Sequence, residues 1–146
     1  RKLLIIGAGN YEAELRSQAE GDPNVEFLGR VPHAQLPDLY RGARATIVPS
    51  ICYETFGLVS IESLRQETPV ISSSFGALPE IIADTGGGVV YEDEHALERI
   101  LDSFDENPES ARAMGCQGAA KLALYSVERH LESYYRIIEE VQQARS

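Results

Sequence analysis

The chain has 146 residues, 43 % of them apolar, and its 13 Lys and Arg against 23 Asp and Glu leave a formal net charge of −10. That composition suits one domain with a core and excludes a disordered chain, while the acidity excludes a non-specific nucleic-acid binder, which needs a basic face. No apolar run approaches the roughly 18–20 residues of a membrane span, no secretory leader pattern precedes the first strand, and two cysteines, Cys52 and Cys116, are too few for a disulfide scaffold or zinc site, so a cytoplasmic protein is expected.

Lys2–Ile6 is a continuous apolar run closed by Gly7-Ala8-Gly9, the pattern of a strand buried on both faces of a parallel sheet. A helix is predicted over Tyr11–Glu20 and a second strand over Val25–Leu28, closed by Gly29. A short helix covers Pro37–Tyr40, a third strand Ala45–Val48, and a helix Leu58–Arg65. Pro69–Ser72 reads as the fourth strand. Leu78–Ala83 is a short helix with Pro79 in its first turn, where proline is tolerated, and Gly88–Tyr91 is the fifth strand. Strand and helix alternate throughout this stretch, which specifies an α/β fold with a parallel sheet flanked by helices.

After Tyr91 the pattern turns helical. Ala96, Leu97, Ile100, Leu101 and Phe104 share one helix face, Asn107-Pro108 starts another helix, and Ser126 is an N-cap for the last. That last helix carries Val127, Leu131, Tyr134, Tyr135, Ile138 and Val141 at helical spacing, either to pack on this domain's core or to meet another domain. Residues 92–109 carry eight acids against Arg99 alone, a solvated helix face or a docking surface. His33, His95 and His130 are scattered and read as surface or satisfied side chains; Cys52 reads as a packed small residue.

Ligands of parallel α/β sheets bind beyond the carboxyl ends of the strands. The turn after Ile6 holds only half of a dinucleotide fingerprint, since Glu12 stands where the third glycine belongs. The loop after Val48 is richer. It carries Glu54, then Phe56-Gly57-Leu58-Val59 at a helix start, then Glu62. The amides around Gly57, Leu58 and Val59 suit an anion such as a phosphate, which an acidic chain can still bind locally. Glu54 and Glu62 fit either as acceptors for sugar hydroxyls flanking that anion or as charges favoured near a positive helix end. Ser72–Glu80 forms a polar turn beside the same cleft.

Pro49-Ser50, Glu54, Phe56-Gly57-Leu58, Glu62, Thr68-Pro69-Val70-Ile71 and Gly76-x-x-Pro79-Glu80-Ile81-Ile82 resemble the retaining glycosyltransferases of family 4, in which two paired acids stand in an E-x7-E element. Leu4–Gly9, Val25–Val31, Leu36, Leu39, Tyr40, Ala43, Ala113-Met114-Gly115 and Tyr125-Ser126 extend the resemblance over nearly the whole chain. It implies the C-terminal, donor-binding half of a GT-B fold, residues 1–146, Rossmann-like with a helical C-terminal tail.

The resemblance implies roles as well. Glu54 would contact the transferred sugar as the catalytic residue. Glu62 would bind the ribose hydroxyls, and the backbone of Phe56, Gly57, Leu58 and Val59 would hold the diphosphate. Arg30 and Val31 would face the base. The donor would be a nucleotide-diphosphate sugar, with no further cofactor and no required metal. Transfer would go to an acceptor hydroxyl with retained configuration.

Two departures bear on this. Glu67 replaces the glycine that ends the family's helix, removing an easy left-handed cap. The family's first strand–helix unit, with its Gly-Arg turn and Lys-Gly helix start, and its N-terminal acceptor domain have no counterpart here. The chain is therefore expected to lack the strand central to its sheet, to bind donor weakly and to be inactive alone. Any peripheral membrane association would come through the missing domain. The rival readings are a sugar-nucleotide epimerase and a non-catalytic sugar-nucleotide-binding or interaction module.

Overall fold

In the computed structural model, which describes residues 1–144, strands form at the five places where branched apolar residues run together. The chain divides into two units, Arg1–Leu39 and the remainder from Tyr40 onward, and the hydrogen-bonded strands divide with it into two parallel ladders.

The first unit holds β1 (Leu3–Ile6), α1 (Glu12–Gln18) and β2 (Val25–Gly29), followed by a 3-10 turn at His33–Gln35 and the start of α2 (Leu36–Gly42). β1 pairs with β2 in parallel, Leu3 opposite Val25. On α1, Arg16 pairs with Glu12 at 2.9 Å and lays its guanidinium 4.4 Å above the Phe27 ring. The expectation that β1 is buried on both faces fails: Leu3 is 43 % and Ile6 40 % exposed. A ladder of two strands gives β1 a neighbour on one side only, and no residue of this unit reaches full burial.

The second unit is built on β3 (Thr46–Val48), β4 (Val70–Ser73) and β5 (Gly88–Tyr91), parallel in the order β3-β4-β5. β4 is central and all four of its residues are buried. Its side chains alternate between faces. Val70 joins Val48, Ile61, Leu64, Leu78 and Ile81 in one cluster, while Ile71 joins Phe104 and Ala111 in the other. This is the doubly covered parallel sheet the sequence predicts.

Helices α3 (Leu58–Arg65) and α4 (Leu78–Thr85) supply the first cluster; α5 (Glu94–Glu106) and α6 (Pro108–Ala120) supply the second. The caps follow the sequence. Asp93 accepts from the Ala96 amide at 2.7 Å, Asn107 from Ser110 at 3.1 Å, and Ser126 from Arg129 at 3.3 Å.

One outcome differs from expectation, and another bears on a choice the sequence leaves open. Glu67 does not disrupt the end of α3. It takes the left-handed conformation itself, φ 60°, the only non-glycine with positive φ among the described residues. The Glu67 amide bonds the Leu64 carbonyl at 2.8 Å and the Thr68 amide bonds the Ser63 carbonyl at 3.2 Å. That pair of bonds closes the helix as a glycine would. The last helix, α7 (Val127–Gln143), does not pack into the core. It buries no residue, and Val127, Leu131, Tyr134, Tyr135, Ile138 and Val141 are all exposed. No helix among the described residues is long and apolar enough to cross a membrane.

Candidate functional site

The carboxyl end of β3 delivers the chain to an irregular stretch, Pro49–Phe56, and then to the start of α3. Gly57 makes this geometry. It sits at φ 69°, ψ 48°, a left-handed conformation that β-carbons disfavour. A β-carbon there would also meet Leu78 Cδ2 at 2.9 Å and Ile81 Cδ1 at 3.0 Å. No side chain caps the helix, so its first amides are left for a ligand.

Glu54, Phe56, Gly57, Leu58 and Val59 come together around one cavity of about 180 Å³, which Val48 and Thr55 also line. Glu54 is half-buried, while Phe56, Leu58 and Val59 are exposed.

Glu54 is held through its backbone. The Ala77 amide donates to the Glu54 carbonyl at 2.9 Å, and Gly76, at φ 63°, passes so close that a β-carbon would lie 2.4 Å from the Glu54 nitrogen. The Ser73 hydroxyl donates to the Ser50 carbonyl and ties the same two loops nearer the sheet. At the tip, Tyr53 meets Phe75 edge-on with ring centroids 6.3 Å apart. The Ser72–Glu80 turn therefore does lie beside the Glu54 loop.

Glu62, one turn into α3, is outside the cavity lining. The Tyr40 hydroxyl donates to its Oε2 at 3.1 Å. Burial, and then the hydrogen bond and charge of Glu62, push the Tyr40 phenol up to about 12. Phe56 is likewise supported, by Tyr125 packed edge-on at 6.0 Å. The Tyr125 hydroxyl donates to Asp84 at 3.0 Å, and burial together with the carboxylates of Asp84 and Glu80 pushes this phenol up to about 12 as well.

Arg30 and Val31 stand just after β2 in the first unit, Arg30 exposed and Val31 half-buried. Tyr40, Gly76 and Ser73 are site supports that motif spacing alone does not reveal. Their partners are distant in sequence; the available signal is that Ser73 and Gly76 belong to the polar Ser72–Glu80 turn after β4.

Cys52 corrects an expectation. It is exposed rather than packed, its sulfur 3.1 Å from the Ser50 hydroxyl, because the stretch around it lacks regular structure. His95 faces Glu98 across one helical turn at 3.6 Å and His130 stacks on Tyr134. No group of three metal-binding side chains gathers among the described residues.

Residues 1–121 match the family described as glycosyl transferases group 1. The chain belongs to this family. A D-inositol 3-phosphate glycosyltransferase of Segniliparus rotundus is 41 % identical over 137 residues, which is 87 % of this chain and 30 % of that enzyme. The chain thus spans under a third of that relative's length. Among solved structures, sucrose-phosphate synthase from Thermosynechococcus elongatus superposes with a TM-score of 0.80 at 27 % identity, over 98 % of this chain and 39 % of that one. Anabaena Alr3699/HepE, solved with UDP and glucose, superposes at 0.81 and 18 % identity, over 95 % of this chain and 40 % of that one. This group 1 chain therefore has the fold of GT-B glycosyltransferase C-terminal domains, and its relatives are glycosyltransferases.

Proposed function

We propose that this chain is the donor-binding half of a retaining glycosyltransferase. It takes a nucleotide-diphosphate sugar and supports transfer of the sugar to an acceptor hydroxyl presented by a second domain. The observation that carries this reading is the convergence of Glu54 and the uncapped start of α3 on one cavity.

The diphosphate lies at the amides of Gly57, Leu58 and Val59, where the helix end favours an anion. Fixed donors of this kind stabilise charge developing on the leaving diphosphate. Glu54 contacts the transferred sugar. Glu62 accepts from the ribose hydroxyls, and Tyr40 steadies it by hydrogen-bonding one of its oxygens. The reaction requires no metal. HepE's complexes with UDP and glucose, and with UDP-glucose, support a nucleotide-sugar ligand for this fold. The exposed apolar face of α7 suits contact with the acceptor domain. Glu67 lends no support to a non-catalytic module, since the turn it occupies closes normally.

Saturation-transfer NMR on the chain with UDP-glucose, GDP-mannose and ADP-glucose tests the reading, because it detects weak complexes. Ribose and hexose signals from one of these donors are expected, surviving EDTA and lost in Glu62→Ala. The affinity should be weaker than micromolar. Absence of signal from every donor, or full retention in Glu62→Ala, would overturn the assignment.

A further inference from the structure

A second groove of the second unit lies away from the site described above. It has a volume of about 760 Å³ and is lined by Arg41–Arg44, Arg65–Pro69, Pro108 and Arg112. These segments lead into β3 and β4, or begin α6, so the groove sits at the amino ends of strands whose carboxyl ends face Glu54 and Gly57. The length of β4 alone puts about 10 Å between the two ends of the sheet.

The charge of this groove opposes that of the chain. Four guanidinium groups, Arg41, Arg44, Arg65 and Arg112, line it against a single carboxylate, Glu67, in a molecule of net charge −10. Two of the four are engaged. Arg44 pairs with Asp105, and Arg41 donates to the Gln66 side chain at 2.6 Å. Neither the Arg65 nor the Arg112 guanidinium makes a hydrogen bond or ion pair among the described residues.

Helix electrostatics explain part of this placement. Arg41 and Arg65 lie in the last turns of α2 and α3, where a cation is favoured. Arg112 lies near the positive amino end of α6, where a cation gains nothing. Its position becomes favourable once an anion occupies the groove.

We propose that this groove binds a small phosphorylated molecule, at a site separate from the donor cavity. Guanidinium forks match phosphate oxygens in pairs, and Arg65 and Arg112 have theirs unspent. The volume falls in the range of small-molecule sites and exceeds a lone ion. Ala43, Pro69 and Pro108 give a body attached to the phosphate an apolar wall. The proposal stands apart from the donor reading, since no groove residue contributes to that cavity.

The test is titration of the 15N-labelled 146-residue chain with inorganic pyrophosphate, followed by NMR and calorimetry. Amide shifts are expected at Arg44, Gln66, Glu67 and Arg112. The double variant Arg65→Gln/Arg112→Gln should bind at least about tenfold more weakly. Its thermal midpoint should stay within about 4 °C of the parent's, because both side chains are exposed and the attraction of Arg65 to the end of α3 is weak. Glu62→Ala should bind pyrophosphate like the parent.

Co-sedimentation with phosphatidylcholine vesicles, with and without phosphatidylinositol phosphate, identifies the source of the phosphate. Binding to the phosphorylated vesicles that the double variant loses assigns it to a lipid headgroup. Pyrophosphate binding without vesicle binding assigns it to a soluble ester. Shifts confined to Gly57–Val59, equal affinity of the double variant, or no binding in either arm would overturn the proposal. So would an acidic peptide that shifts the groove where pyrophosphate does not.

Discussion

Tyr40 serves two partners from one position. Its hydroxyl donates to Glu62, and its carbonyl accepts from the Thr68 hydroxyl at 2.7 Å. Together with Tyr125 it also makes the fold sensitive to alkali. Both phenols are pushed up to about 12, against about 10 in an unfolded chain. Between those values the folded chain keeps protons that the unfolded chain has lost. The stabilisation is complete below about pH 10 and is lost as pH rises toward 12. Urea titrations across that interval should show a steeper loss in the parent than in Tyr40→Phe/Tyr125→Phe; equal slopes would show that neither phenol holds its proton more tightly in the folded chain than in the unfolded one. Gly76 is the other sensitive residue. Gly76→Ala forces a β-carbon into positive φ and against the Glu54 backbone. It should cost about 2 kcal/mol in chemical denaturation and weaken donor binding further by moving Glu54. The motif residues Glu54, Gly57 and Glu62 are legible in the sequence because they are close together along it. Tyr40 and Gly76 also stand in the matching motifs, but what they touch is not legible, because those contacts depend on which loops the sheet brings side by side.

The elements themselves are largely legible. α3 and β5 have the predicted bounds, since Gly57 before one and Gly86-Gly87 before the other leave little choice of boundary. The end of α3 is harder to read, because Glu67 argues against a left-handed turn that the hydrogen bonds nevertheless impose. The left-handed residue is strained there, so Glu67→Gly should stabilise the chain by about 1 kcal/mol. α6 depends on the same turn. A β-carbon at Gly115 would lie 2.1 Å from the Glu67 carbonyl oxygen, and backbone cannot swing aside as a side chain can. Gly115→Ala should therefore destabilise by about 2–3 kcal/mol. Thermal melts followed by circular dichroism should rise for the first variant and fall for the second. A fall for Glu67→Gly would mean that the carboxylate, 3.6 Å from the Cys116 sulfur, stabilises the turn more than its backbone strains it.

At the scale of the molecule, strand positions follow from local apolar runs, but sheet continuity does not, because pairing is set by what lies beside each strand. The two ladders differ in what holds them. β4 has a neighbour on each side and is buried throughout, with Leu64, Val70, Ile71 and Leu78 fully enclosed. β1 and β2 have only each other, in a unit where no residue is buried. A two-stranded ladder is marginal in water, and hydrogen exchange follows the free energy of the smallest opening that exposes an amide. The amides of β1 and β2 should therefore exchange by local opening, well ahead of those in β4, whose protection should equal the global unfolding free energy. In low urea, β4 protection should fall with the slope of global unfolding, while β1 and β2 should scarcely respond, since their opening exposes little new surface. Equal protection and equal urea dependence in both ladders would show that the first unit opens only when the second does.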